Sequence, residues 1–209
     1  MSGCFITFEG VEGVGKSTQL ARLEDHLIGR GHDVVVTREP GGTPLAEQIR
    51  ALVLHNRSEP MPDAAELMLM FAARSVHTEN LIRPALARGA IVLCDRYTDA
   101  TYAYQGGGRG IDDALIDPLA TLAQRGLWPT LTILLDAPVA PSLARARARS
   151  GKSDRIESEA VAFFERVRAR YLARAAADPQ RIRVVDANGT PDAVSERILA
   201  VVAPLWEGP

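Results

Sequence analysis

The chain predicts an α/β fold, a five-stranded parallel sheet flanked by helices, and three observations carry that expectation. Five short apolar, β-rich runs alternate along 209 residues with segments of helical periodicity, as consecutive β-α-β units require. The first run passes through a glycine-rich turn straight into a helical segment. Hydrophobic residues make up 46% and charged residues 24% of the chain. That composition suits one soluble domain that buries roughly 70% of its unfolded surface.

The apolar run that opens at Cys4 closes at Glu9, and the turn from Gly10 to Gly15 leads into a helix starting at Lys16. Gly29 and Gly31 stop that helix near residue 30. A second strand covers 33–37 and breaks at Pro40-Gly41-Gly42. Thr43 then N-caps a helix with Pro44 in its first turn, ending near Leu54. After a polar link over 56–62, residues 63–87 read as one long helical pattern, apolar at Leu67, Met70, Phe71 and Leu81 and broken near Pro84. Residues 90–94 are apolar throughout, as a strand covered on both faces would be. The Gly106-Gly107-Gly108-Arg109-Gly110 run predicts a turn before a helix over 112–124. A fourth strand follows at 131–135, helices at 139–149 and 158–177, a fifth strand at 183–185 and a last helix at 191–202. No repeat, linker or low-complexity tract divides the chain, so residues 1–209 read as one domain.

Composition excludes several classes. A net charge of −2 argues against a general nucleic-acid binder. No apolar run reaches the ~18 residues of a membrane span, and the chain reads into its first strand without a leader segment. Cys4 and Cys94 sit in apolar runs and read as buried thiols of a reducing compartment. The four histidines lack metal-site spacing. The expectation is a soluble, cytoplasmic protein.

The turn carries the chemistry. Gly10-Val11-Glu12-Gly13-Val14-Gly15-Lys16-Ser17 fits G-x-x-x-x-G-K-[ST] without a gap, between a strand and a helix. Its amides and the helix N-terminus suit phosphate oxygens. Lys16 can reach the β- and γ-phosphates, and Ser17 can ligate Mg²⁺. Three further clusters follow strands or break helices. Arg38-Glu39-Pro40 lies past the second strand, with Arg50 twelve residues on, and taken alone both arginines read first as surface corners. Asp95-Arg96 ends the third strand, where a carboxylate can orient metal or water and a guanidinium can fork onto phosphate; Thr101, Tyr104 and Gln105 follow, suited to a sugar and base. Arg145, Arg147 and Arg149, then Lys152 and Arg155, make a cationic flap, in which lid and solvated face are equally compatible with the spacing. Arg74 emerges from the apolar stripe of Met70 and Phe71, as a snorkelling arginine or a reader of a base edge.

Taken together, FEGVEGVGKST, TREPGGTPLAEQIR, FAAR, DRYTDATYAYQGGGRGID, TILLDAP and RARARSGKSDRIE closely resemble the thymidylate kinase family. The resemblance implies a P-loop nucleoside monophosphate kinase-like fold with a short lid at about 145–155. It implies ATP-dependent phosphorylation of dTMP to dTDP with Mg²⁺, with homodimers as the expected assembly. The alternatives are a kinase of another nucleoside monophosphate or deoxynucleoside, or a nucleotide-dependent switch, although the N-K-x-D guanine motif of switches is missing from the sequence.

By resemblance, the loop from Gly10 to Ser17, with Thr18 and Arg145, binds ATP, and Ser17 and Asp95 hold the metal. Lys16, Asp95, Arg96 and a lid arginine, Arg149 before Arg147, serve the transfer, since Val11 to Val14 include no basic residue. Glu12 faces the acceptor's 3′-hydroxyl, Arg38 and Arg96 clamp its phosphate, and Arg50 lines its pocket. Arg74 reads the thymine edge with Thr101 and Gln105, Phe71 or Met70 stacks on the ring, and Tyr104 crowds C2′. The adenine lies near Asp186-Ala187-Asn188-Gly189. Ala100 stands where the family often has serine, which removes one hydroxyl contact.

Overall fold

The structure is a computed structural model that describes residues 3–56, 58–150 and 154–206, with Arg149 and Ser150 described by backbone alone. Its strands are β1 (Cys4–Glu9), β2 (Val34–Arg38), β3 (Ile91–Asp95), β4 (Leu131–Asp136) and β5 (Ile182–Asp186). They form one sheet in the order β2-β3-β1-β4-β5, and every neighbouring pair is parallel. The helices are α1 (Lys16–Ile28), α2 (Pro44–Leu54), α3 (Asp63–His77), α4 (Arg83–Ala87), α5 (Thr98–Thr101), α6 (Asp113–Gln124), α7 (Val139–Ser150), α8 (Val161–Ala177) and α9 (Pro191–Val202). No described helix is long and apolar enough to cross a membrane.

Two-residue periodicity in β1 explains the layering. Ile6 and Phe8 point to one face, into a cluster with Leu20, Leu23 and Leu27 of α1 and Phe164 of α8. Phe5 points to the other, against Val92, Cys94, Tyr97 and Ile82. All three are at most 1% exposed, each contributing about 1.5–3 kcal/mol by burial. A strand apolar on both faces needs helices on both. Because all strands are parallel, their C-terminal residues share one edge: Glu9, Arg38, Asp95, Asp136 and Asp186. Charged groups excluded from the sheet interior thus collect where ligands of such folds bind.

Two expectations are corrected. The 63–87 pattern does not break at Pro84. It passes through a π-helical stretch, Thr78–Ile82, and Pro84 sits in the first turn of α4, where a missing N–H costs nothing. Nor is the triple glycine a turn: α5 runs into a π-helical segment, Tyr102–Gly108. Those glycines serve packing. A Cβ on Gly107 would lie 2.6 Å from Arg170 Cβ, and one on Gly108 would lie 2.5 Å from the Phe163 ring, so only glycine lets α8 approach. Helix α8 itself starts at Val161, because Asp154 accepts from the N–H groups of Ile156 and Glu157 at 2.9 and 2.8 Å and holds a turn before it.

Replacing Gly108 with alanine should therefore lower stability by about 1–3 kcal/mol, the cost of overpacking. A urea-denaturation midpoint equal to wild type would contradict this account of the glycine run.

Candidate active site

The turn after β1 is held by backbone contacts from below. A Cβ on Gly13 (φ 74°) would overlap the Ser142 carbonyl of α7, so glycine is required by both conformation and contact. Lys16, at the start of α1, is buried, and its Nζ donates to the carbonyls of Gly10 (3.0 Å) and Val11 (3.1 Å). Burial lowers its pKa to about 8; Arg96 pushes the same way, and Asp95, Glu12 and Glu9 oppose.

In front of the turn lies a cavity of about 220 Å³. Lys16, Ser17, Asp95 and Arg96 line it together with Glu12, Arg50, Met70, Tyr104 and Gln105. Asp95 Oδ1 is buried and has no hydrogen-bond partner among the described residues. Arg96 adopts a left-handed backbone (φ 72°), which costs a non-glycine residue about 1–2 kcal/mol. The contacts that hold it there are specific. Its Nη1 donates to Gly10 O at 3.0 Å and to Tyr171 Oη at 3.3 Å, and its Nη2 donates to Glu12 Oε1 at 2.8 Å. The guanidinium stacks 4.7 Å from the Tyr104 ring centroid, and Tyr104 Oη donates to both Glu12 oxygens at 2.8 Å.

Behind the turn lies a second, open cavity of about 450 Å³. Val14, Thr18, Arg145 and Asn188 line it, with Gly13 shared between the two cavities. Arg145 donates to Gly13 O through Nε and to Ser142 Oγ through Nη2, both at 3.0 Å. Arg147 is exposed on α7, whereas the Arg149 side chain, Lys152 and the middle of the expected lid lie outside the described residues.

Four sequence candidates do not line the front cavity. Arg38 is half-exposed and forks onto Glu47 at 3.1 and 3.2 Å. Phe71 packs into an apolar cluster with Leu67, Tyr102 and Ile116, and Met70, one position earlier on the helix, lines the cavity instead. Arg74 is fully buried: Nε donates to Glu39 Oε2 at 2.7 Å and Nη2 to Tyr97 O at 3.1 Å, while Nη1 has no partner among the described residues. Thr101 is buried as well, with an unpartnered Oγ1.

Sequence reasoning missed the carboxylates that position these groups. Glu39 fixes Arg74 and bonds His77 Nδ1 at 2.9 Å. Glu9 Oε1 accepts from Tyr97 N at 2.8 Å and Oε2 from Tyr171 Oη at 2.6 Å. Glu66 receives Gln105, Arg109 and Arg155. Only strand-end placement could have flagged Glu9; the other two gain their meaning from distant partners.

Burial raises the Glu9 pKa to about 7, with Asp99 adding to the effect and Arg96 and the two hydrogen bonds opposing it. A carboxyl whose folded pKa lies above its ordinary value loses its stabilising contribution as pH rises, here between about 4.5 and about 7. Glu9→Gln should remove that loss. Its stability relative to wild type should grow by on the order of 2 kcal/mol from pH 4.5 to 8, read as urea midpoints; a pH-independent difference would refute it.

Comparison with known proteins identifies this arrangement. The family model for thymidylate kinase matches residues 8–198. Among curated relatives, the chain is 54% identical to the thymidylate kinase of Ectopseudomonas mendocina, with 99% of this chain and 98% of that protein covered. The Chromohalobacter salexigens thymidylate kinase is 56% identical, over 95% and 94% of the two chains. The crystal structure of thymidylate kinase from Ehrlichia chaffeensis superposes with a TM-score of 0.78 at 32% identity, covering 97% of this chain and all of the other. Agreement of this extent, in sequence from end to end and in backbone, shows that the chain belongs to the thymidylate kinase family.

Proposed function

We propose that the protein catalyses transfer of the γ-phosphoryl group of ATP to dTMP, giving dTDP and ADP. The observation that carries this reading is the pairing of two cavities across one turn. The rear cavity, edged by Thr18, Arg145 and Asn188, suits the nucleoside of ATP. The front cavity brings phosphate-binding groups together with Met70, Tyr104 and Gln105, side chains suited to a base. The two cavities share Gly13 and Gly15 of the turn, which suits a donor and an acceptor positioned side by side for phosphoryl transfer.

The residues divide the work. Lys16 and the loop amides hold the ATP phosphates. Arg96, fixed by Glu12, Gly10 and Tyr171, presents its remaining N–H donors to the acceptor phosphate, with Arg50 beside it. Tyr104, held upright on Glu12, closes the space beside the sugar. At the base, Gln105 offers an acceptor, which matches a ring N–H. Ser17 and Asp95 fit a hard cation, since Asp95 brings an unpaired buried carboxylate oxygen into the cavity that Ser17 also lines. A Mg²⁺ ion held by these two residues would supply neutralisation of phosphate charge during transfer.

The reading includes one domain with a lid at about 145–155, whose cations close over the phosphates and exclude water. It also includes a homodimer. Leu45 and Leu52 of α2, Met68 of α3 and Leu115 and Leu122 of α6 are 52–74% exposed, with α3 packed against both α2 and α6, and apolar side chains on neighbouring helices suit an interface. Sedimentation at micromolar concentration reads that assembly. Both cysteines are free thiols, which suits a cytoplasmic setting.

An acceptor panel with ATP and Mg²⁺ tests the reaction. dTMP should be converted well ahead of dCMP, AMP and GMP, and comparable rates on any of those would displace it. Lys16→Ala should abolish dTDP formation. In the same assay, Arg149→Ala should lower kcat on the order of 10³-fold, by analogy with arginines supplied in trans. Near-normal turnover in Arg145→Ala, Arg147→Ala and Arg149→Ala alike would remove the lid from the mechanism.

A further inference from the structure

Glu66 lies on the inner face of α3 with 1% of its surface exposed, and three side chains from two segments distant in sequence converge on it. Gln105 Nε2 donates to Oε1 at 2.7 Å. Arg109 donates to Oε1 through Nε at 3.5 Å and to Oε2 through Nη2 at 3.3 Å. Arg155, at the end of the expected lid, donates to Oε2 through Nη2. Arg155 is anchored in turn on the end of α2, through Nε to Val53 O at 3.0 Å and N–H to Leu54 O at 3.2 Å. Burial alone would raise the Glu66 pKa. The hydrogen bonds from Gln105 and Arg155 and the charges of Arg109 and Arg155 outweigh it and leave the carboxyl below its ordinary value. Glu66 is therefore ionised at neutral pH.

An ionised carboxylate only accepts hydrogen bonds, whereas a primary amide has one donating and one accepting end. Glu66 can take only the NH₂ end of Gln105. The other end, Oε1, is buried without a partner among the described residues, on a side chain that lines the front cavity. With Arg109 and Arg155 holding the carboxylate from two further directions, the amide cannot turn over without placing oxygen against oxygen in a low-dielectric site.

We propose that Glu66 is a specificity-determining positioning residue: its carboxylate locks the Gln105 amide so that an acceptor faces the base. The lock selects a 2,4-dioxopyrimidine, whose N3 carries a hydrogen, over a 4-aminopyrimidine, whose N3 carries a lone pair. The inference rests on the dTMP reading above and adds how the base is chosen. Glu66 touches no substrate. It acts through Gln105, and a neutral amide at position 66 would release the lock by offering NH₂ to the Gln105 oxygen.

A double-mutant cycle reads this directly. Wild type, Glu66→Gln, Gln105→Met and the double variant are assayed with ATP and dTMP, dUMP or dCMP. Glu66→Gln should lower the dTMP-to-dCMP ratio of kcat/KM by about tenfold or more, since a site built to pair a substrate N–H owes its discrimination to that pairing. The dTMP-to-dUMP ratio should not change, because both bases carry the same N3–H. In the Gln105→Met background Glu66→Gln should move neither ratio. A dTMP-to-dCMP ratio unchanged in folded Glu66→Gln, or falling equally in both backgrounds, overturns the proposal; a purely structural role would produce the second result. Should Glu66→Gln fail to fold, the wild type decides. With dTMP bound, a slowly exchanging carboxamide proton of Gln105, assigned by its loss in Gln105→Met, supports the lock, and exchange as fast as in free glutamine overturns it. Wild-type enzyme that phosphorylates no pyrimidine monophosphate would overturn the dTMP reading itself, a result visible before any variant is made.

Discussion

The site depends on one buried contact, between Glu9 at the end of the central strand and the turn that ends β3. Glu9 takes the Tyr97 N–H on one oxygen and the Tyr171 hydroxyl on the other. The residue immediately before Tyr97 is the left-handed Arg96, a conformation that a side-chain-bearing residue keeps only when its surroundings hold it. Arg96 N–H also bonds Phe8 O at 2.9 Å, so the β1 end fixes the turn from main chain and side chain together. The guanidinium is thereby delivered to Gly10, Glu12 and Tyr171 at once. The glycine-rich turn, Arg96 and α8 are one hydrogen-bonded unit.

The same device recurs through the molecule. Asp99, under the sheet, receives Arg174 and Arg181; Glu39 receives Arg74 and His77; Glu66 receives Arg109 and Arg155. An ion buried with a single partner seldom recovers its desolvation cost, and truncating one member of such a pair is strongly destabilising. Each of these carboxylates has at least two partners, on separate segments for Asp99 and Glu66 and three residues apart on α3 for Glu39. The contacts supply geometry more than stability, fixing helices that carry substrate-facing residues to within hydrogen-bond tolerance. Asp99 joins α5 to α8 through Arg174, to the start of β5 through Arg181 and to β4 through Thr132. Its position beneath the segment that becomes Tyr102–Gly108 ties the floor of the sheet to the wall that presents Tyr104 and Gln105.

Much of this was legible beforehand, for physical reasons that differ by residue. Strands β1 and β3 announced themselves because a strand covered on both faces has no polar alternation to blur it. The phosphate loop was legible because its glycines, lysine and serine act through local backbone geometry. Thr43 capping Ala46 N at 3.4 Å is likewise a three-residue event. Glycines 106 to 108 misled, since a glycine run signals a turn unless another helix needs the space, and that helix lies some sixty residues further on. Met70 and Phe71 are adjacent, about 100° apart around a helix, and only the packing of Phe71 against Tyr102 and Ile116 leaves Met70 to the cavity.

The amino-acid sequence by itself determined the sheet, the phosphate loop and the family, because these rest on periodicity and on motifs whose parts lie within one turn of each other. It also placed the acidic and basic residues at the strand ends, which a parallel sheet gathers on one edge. Tertiary structure decided which charges are buried and therefore what each can do. Arg74 became a residue held by Glu39, 35 positions away, and Gln105 became an acceptor because Glu66, 39 positions away, takes its other end. A side chain's hydrogen-bonding identity is settled by whatever group it meets in the interior, and that meeting belongs to the fold.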